Sequence, residues 1–234
     1  MNFIYNWQAT LALIATLAIV SMIGKALVSR IRAFDGMREI NREQDREKKT
    51  KDKYPPVIKS TRMIGLYTNL AFFALAVPFI VTLEHTSIWK VLVDLVAILM
   101  VYDFFYYLTH RFLFHGQGYF RQIHALHHQA RNPTHIDAFY VHPLETVIGI
   151  ALFMVSATLL GVFMGPFHLS TLAVAMLVFS NLNVINHCHI RMNSFPGKTL
   201  SWISLKHAKH HKDMQQGNYS TITLIYDKVF KTLV

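Results

Sequence analysis

A chain of 234 residues suits one or two soluble domains by length, but 53% apolar and only 15% charged residues, with a mean hydropathy of +0.30, exclude an ordinary soluble globule. Lysine and arginine exceed aspartate and glutamate by 23 to 13, a balance that fits anionic lipid surfaces and acidic partners and argues against nucleic acid as a partner. Cys188 is the single cysteine, so no internal disulfide forms and packing or bound metal must hold the fold.

Crossing roughly 30 Å of hydrocarbon takes about 20 helical residues. Five runs qualify: Trp7 to Val28, Met63 to Leu83, Ile88 to Leu108, Leu144 to Met164 and Leu169 to Asn186. No lysine or arginine precedes the first, so it reads as a retained anchor and not as a secretory signal. Arg30 to Arg62 is densely charged and ends in Tyr54-Pro55-Pro56, the pattern of a hydrated connector on the membrane surface. Only Glu84 to Ser87 and Gly165 to His168 separate the later spans, which predicts two antiparallel hairpins with their tips on one side. The opposite side carries 21 of the 23 lysines and arginines, and the positive-inside rule makes it cytoplasmic. Asp94 lies within the third span, where an ionisable group requires a function or a partner such as Asn69.

The 14 histidines follow the same partition. His85 and His168 fall in the outer tips and read as interfacial turn residues; the other twelve lie on the inner side. His124, His127, His128 and His207, His210, His211 repeat one pattern, His-x-x-His-His. On a helix these positions share a face, so each triplet is expected to aim three imidazoles at one point, as metal ligation demands. His110 and His115 stand about 140° apart on a regular helix. Both reach one site only if the helix bends or ends between them, and Gly116-Gln117-Gly118 supplies an end. His187 and His189 flank Cys188 two residues apart, so one of them suits a shared site, while Cys188 itself reads as an inert buried thiol. Nine or ten imidazoles exceed the needs of one ion and suit two closely spaced metals. Ligand type alone leaves iron, zinc, copper and nickel open.

The ordered motifs Asp103 to His115, His124-Ala-Leu-His-His128, His142-Pro-Leu-Glu145, Asn186-His-Cys-His189 and His207-Ala-Lys-His-His211, followed by Gly217-Asn-Tyr-Ser220 and Tyr226 to Thr232, resemble the fatty acid hydroxylase / sterol desaturase superfamily. The resemblance covers Asp103 to Thr232. It implies an integral membrane, di-iron, oxygen-dependent lipid oxidase, with metal ligands at His110, His115, His124, His127, His128, His187, His207, His210 and His211. His189 stands where many relatives carry asparagine and is a tenth candidate. His142 matches a recurrent family histidine, either a ligand or an anchor toward Glu145. His135 has no clear counterpart and reads as a surface residue or as a support for the ligating rings. Ligating histidines pass their second ring nitrogen to a carboxylate, carbonyl or water. Asp103, seven residues before His110, is the foremost candidate, followed by Glu145, Asp213, Asn218 and Asp227.

The sequence is thus read as an all-α, multi-pass membrane protein of about five transmembrane helices under a cytoplasmic histidine-rich di-metal cap. Residues 1–30 form the anchor, 31–62 the connector and 63–234 the catalytic domain. The expected function is hydroxylation or desaturation of a fatty acyl, sterol or related lipid C–H bond with dioxygen at two irons, zinc being a possible substitute. Membrane metal transport or storage, and non-catalytic lipid binding, are the alternatives. The chain has no dinucleotide-binding Gly-x-Gly-x-x-Gly, no haem Cys-x-x-Cys-His and no iron–sulfur cysteine set. Electrons must therefore come from outside, from an acidic haem protein or a ferredoxin with its reductase. Arg191, Lys198, Lys206, Lys209 and Lys212 offer a basic surface for such a carrier or, equally, for anionic headgroups.

Overall fold

The computed structural model describes residues 5–234, which are almost entirely helical. The elements are α1 (Trp7–Arg30), α2 (Asp35–Lys49), α3 (Tyr54–Leu75), α4 (Val77–Ile80), α5 (Ile88–Leu108), α6 (Tyr119–His127), α7 (Pro143–Met164), α8 (Leu169–Asn186), α9 (Gly197–Lys212) and α10 (Ile225–Val229). Local chemistry sets several starts: Asn6, Ser87 and His168 each accept a backbone N–H of the turn they open, and Pro143 follows the capping residue of α7.

Among the described residues four helices are long and apolar enough to cross a membrane: α1, α5 with its continuation to Phe114, α7 and α8. Their apolar character on all sides suits lipid contact. The second expected span is divided. Lys59, Arg62, Thr68 and Asn69 reduce the apolar character of α3, which stops at Leu75, and the apolar remainder forms α4 and the short strand β1 (Val81–Thr82). Together these pieces still traverse the bundle against α7.

The two hairpin tips meet directly. β1 pairs in parallel with β2 (Phe167–His168), Val81 opposite Phe167 and Thr82 opposite His168, and the Asn6 N–H donates to Pro78 O at 2.8 Å at the same end. Tyr102, Phe153 and Phe179 pack edge-on or stacked, with centroids 4.6–5.7 Å apart, and tie α5, α7 and α8 together in the core. Asp94 pairs with Lys90, one turn earlier on α5, at 2.7 Å, not with Asn69, whose amide donates to Gly65 O.

The charged connector is no hydrated linker. Asp45 of α2 is buried and accepts from Thr134 Oγ1 and the Ile136 N–H. Lys48 pairs with the fully buried Asp137, which also accepts from Tyr54 Oη at 3.0 Å. Tyr54 stacks on Tyr140 with centroids 4.0 Å apart. The connector is docked because partners 83 to 91 residues away supply opposite charge and apolar contact, which no local pattern announces.

The tips occupy one end of the bundle and the histidine-bearing segments the other. Reporter fusions after Ser87 and after Val234 should therefore lie on opposite sides of the membrane, and finding both on one side would overturn this arrangement.

Candidate metal centre

Each of the nine core histidines is placed by a helix end. α5 runs on as a single π-helical turn, Thr109–Phe114, in which the His115 N–H donates to His110 O at 2.9 Å. That wider turn brings positions i and i+5 onto one face, resolving the mismatch expected of a regular helix. The exit is tight: a Cβ on Gly116 would lie 2.1 Å from Phe112 O, so only glycine fits. His124 and His127 occupy the last turn of α6, with His128 as its C-cap. His187 caps α8, and His207, His210 and His211 lie in the last turns of α9.

The side chains form two buried groups, each able to hold a metal ion, with candidate ligand atoms within 4.8 Å of one another: His110, His115, His124, His128 and His210, then His127, His187, His207 and His211. The triplets do not each serve one point. His124 and His128 enter the first group and His127 the second, whereas His207 and His211 enter the second and His210 the first. The i and i+4 members of a triplet stay together and the i+3 member crosses over.

Ring tautomers follow from the partners. The Nδ1–H groups donate to Tyr219 O from His110 (2.7 Å), Met214 O from His115 (2.8 Å), Tyr140 O from His127 (3.2 Å), Asn183 O from His187 (2.7 Å) and Gly217 O from His210 (2.9 Å). His124 Nδ1–H donates to Glu145 Oε1 at 2.7 Å. Since a carbonyl only accepts, Nε2 of each of these rings carries a lone pair. Yet Nε2 of His110 lies 3.1 Å from that of His124 and 3.2 Å from those of His115 and His210. The second group repeats the crowding, with His187 Nε2 3.0 Å from that of His127 and 3.1 Å from that of His207. Lone pairs facing lone pairs repel, and a shared cation turns that repulsion into coordination. His128 adds a second sign, because both its nitrogens are buried without a hydrogen-bond partner. Burial pulls His115 and His124 down to about 3 and holds His127, His128, His187, His207, His210 and His211 below the ordinary imidazole range, so all are neutral at neutral pH, the form that can bind a metal.

The supporting residues differ in part from expectation. Glu145 touches His124 directly. Asp103 does not touch His110; it is fully buried and accepts the N–H groups of Thr221, Ile222 and Thr223 and the Thr223 hydroxyl. Sharing a helix face with His110 points Asp103 at the same neighbourhood, but three backbone donors of the C-terminal loop claim its oxygens. Asp227 takes the N–H groups of Tyr219 and Ser220, and Asn218, at a φ of 68°, bonds Lys206 O and the Val234 N–H. Asp103, Asp227 and Asn218 thus hold the loop whose carbonyls hold His110 and His210. Asp213 accepts from the Gln215 N–H within its own turn.

His142 and His189 join neither group. His142 Nδ1 accepts the Leu144 N–H as the cap of α7, and His189 bonds Gln44 and Asn41 of α2. His135 lies exposed, 3.6 Å from Asp45. The Cys188 thiol, pushed up to about 12 by burial, donates to Val184 O. The carbonyls of Tyr140, Met214, Gly217 and Tyr219 are the functional groups that side-chain reasoning misses; their only sequence signal is the loop chemistry of Gly217-Asn218.

A cavity of about 1100 Å³ opens beneath the histidines. Its walls come from α1, α3, α5, α7 and α8, with Arg38 of α2 and the segment 135–141, and His110, His124, His127, His187, His207 and His210 line its inner end.

Residues 95–232, more than half of the chain, match the family model described as fatty acid hydroxylase. The chain belongs to the fatty acid hydroxylase family. A Dictyostelium discoideum protein provisionally named as a methylsterol monooxygenase is 34% identical over 152 residues, 62% of this chain and 53% of its own length. Methylsterol monooxygenase 2-2 of Arabidopsis thaliana is 29% identical over 152 residues, 62% of this chain and 54% of its own. Very-long-chain aldehyde decarbonylase GL1-8 of Oryza sativa is 30% identical over 152 residues, 62% and 53%. The chain spans about half the length of these relatives. No solved structure matches it.

Two outcomes follow from this geometry. Glu145→Ala, which frees the His124 ring, should weaken metal binding at the first histidine group about 10–100-fold, read by metal content after graded chelation; unchanged retention would refute the role of Glu145. In the metal-free chain, histidines whose folded values lie below an unfolded value of about 6.5 give stability that is complete above that pH. It is lost as pH falls toward about 3, where His115 and His124 protonate in the fold. The thermal midpoint should drop on acidification through that range, and a flat profile would contradict neutral burial.

Proposed function

We propose that this protein is an oxygen-dependent di-iron lipid oxidase that hydroxylates or desaturates a C–H bond of a membrane lipid. The observation that carries this reading is the convergence of nine imidazoles, six of them with the Nε2 lone pair turned inward, at the end of a large cavity that opens among the membrane helices. The family match and the methylsterol and very-long-chain aldehyde named for its relatives support a lipid as reactant. When bound, iron supplies the reduction of dioxygen and the oxidising power for an unactivated C–H bond, which zinc, lacking redox chemistry, does not.

The two histidine groups are the proposed ligand sets, five and four rings respectively. Backbone carbonyls and Glu145 fix ring orientation so that the ligands need little reorganisation. Phe114, stacked 5.2 Å from the His124 ring, and Tyr106, 5.3 Å from His110, add aromatic wall where the first group meets the cavity. The lipid chain enters laterally between the spans, and the histidines face the cytoplasm by the charge bias. Lys209 and Lys212, exposed at the end of α9 beside the second group, form the docking surface for an acidic electron carrier.

Iron-loaded protein with reductant should convert lipid, and His128→Ala or His211→Ala should lower turnover by at least roughly a hundredfold with membrane insertion intact. His85→Ala, far from the cavity, should be silent. Mass spectrometry of membrane lipids with and without expression identifies the product. Full activity of either variant, or of a zinc-only preparation, would overturn the reading.

A further inference from the structure

The cavity wall is electrically lopsided. Lys25 from α1, Arg38 from α2 and Arg62 from α3 all line it, whereas its only carboxylate is Glu145, already bonded to His124. Charge bias toward the inner side accounts for cations at this level but not for their convergence on one cavity. α2 offers a control: it also carries Asp35, Glu39, Glu43, Asp45 and Glu47, and of all its residues Arg38 alone reaches the wall. Arg38 pairs with Asp35. Lys25 and Arg62 have no carboxylate partner among the described residues, and the Arg62 guanidinium lies 4.9 Å over the Phe139 ring, adjacent to the segment whose Tyr140 carbonyl holds His127. Thr61, next to Arg62, donates to Val141 O at 2.6 Å and fixes α3 against that same segment.

We propose that this wall binds the anionic head, carboxylate or phosphate, of an amphiphile whose chain occupies the cavity beneath the histidines. Arg62 supplies a planar fork that matches either head, and Lys25 adds a mobile point charge. Asn69, Ser180 and Asn181 also line the cavity, each bonded to a carbonyl of its own helix, and Leu66, Ile150 and Leu177 add apolar wall for the chain. Both cations are exposed at the mouth of the cavity, where an anionic head gains their charge and a neutral sterol does not. The inference rests on the cavity being the lipid site of the oxidase proposed above.

The test is competition against radiolabelled palmitate on the full chain in non-ionic detergent. Palmitate and hexadecyl phosphate should bind roughly tenfold tighter than hexadecanol or cholesterol. Lys25→Gln with Arg62→Gln should erase that advantage while metal content per chain stays unchanged, and Arg62→Lys should retain part of it. Dipalmitoyl phosphatidic acid, run in parallel, separates the sources: competition equal to hexadecyl phosphate marks a bilayer phospholipid, and weaker competition marks a single-chain anion. Equal or tighter binding of the neutral probes, an advantage that survives in the double variant, or binding of none of the probes would overturn the inference. Product formation by iron-loaded protein, scored on the same probes, keeps the two readings apart. Turnover of a neutral lipid without anion preference sinks only this inference, and anion preference without any product sinks only the oxidase.

Discussion

Nine neutral imidazoles packed with their lone pairs toward one another set the terms for the rest of the fold. Left alone, such a cluster repels itself and demands water. What keeps it assembled is the far side of six of the rings, where the Nδ1–H of His124 is held by Glu145 and those of five others by carbonyls of Tyr140, Asn183, Met214, Gly217 and Tyr219. Four of these five lie in non-helical backbone, because a carbonyl already used inside a helix has little left to give. The loops that supply them must then be rigid. Asp103 and Asp227 spend whole carboxylates on backbone N–H groups of the segment from Tyr219 to Thr223. Gly217 makes the close approach possible, since a Cβ there would lie 1.8 Å from Thr232 O. The lone-pair geometry at the centre is thus transmitted outward through carbonyls to carboxylates on α5 and α10.

A second consequence concerns helix direction. The turn of α5 that ends at His115, α6 at His128, α8 at His187 and α9 beyond His211 all present their C-terminal ends to the centre. Each such end carries a partial negative charge and favours a nearby cation by about 0.3–1 kcal/mol. Four of them converging, with only one acidic side chain in contact with the rings, give a site whose attraction for cations comes largely from the backbone. That is why so few carboxylates suffice around so many histidines, and why the crossover within each triplet matters: the last turn of α6 and that of α9 each feed both groups, coupling them through two rigid helices.

What was legible in the sequence was what depends on local spacing. The paired triplets, the hairpins and the helix end at Gly116 rest on periodicity and glycine chemistry alone. Distribution of rings between two groups was not legible, because i, i+3 and i+4 share a face and only the partner helix decides which ring crosses. The heptad from Asp103 to His110 gave a face but not a partner. The connector escapes local reading for the same reason in reverse: Asp45 and Lys48 look solvated until Thr134 and Asp137, remote in sequence, arrive to bury them. His142 and His189 carry ligand chemistry, yet the N-terminus of α7 and the side chains of α2 claim their nitrogens first.

The divided second span shows how composition and function bear on one another. Thr61, Arg62, Gly65 and Asn69 make α3 too polar along its length to count as an ordinary membrane helix, and these same residues, beside Leu66, form its contribution to the cavity wall. A helix that only had to sit in lipid would gain by replacing them with leucine. One that borders a lipid-filled chamber on one side and packs on α7 on the other has to present polarity where a headgroup lies and apolar surface elsewhere. If the cavity holds an amphiphile as proposed, the departure from a uniform apolar pattern in α3 marks the side on which that amphiphile, rather than the bilayer, is its neighbour.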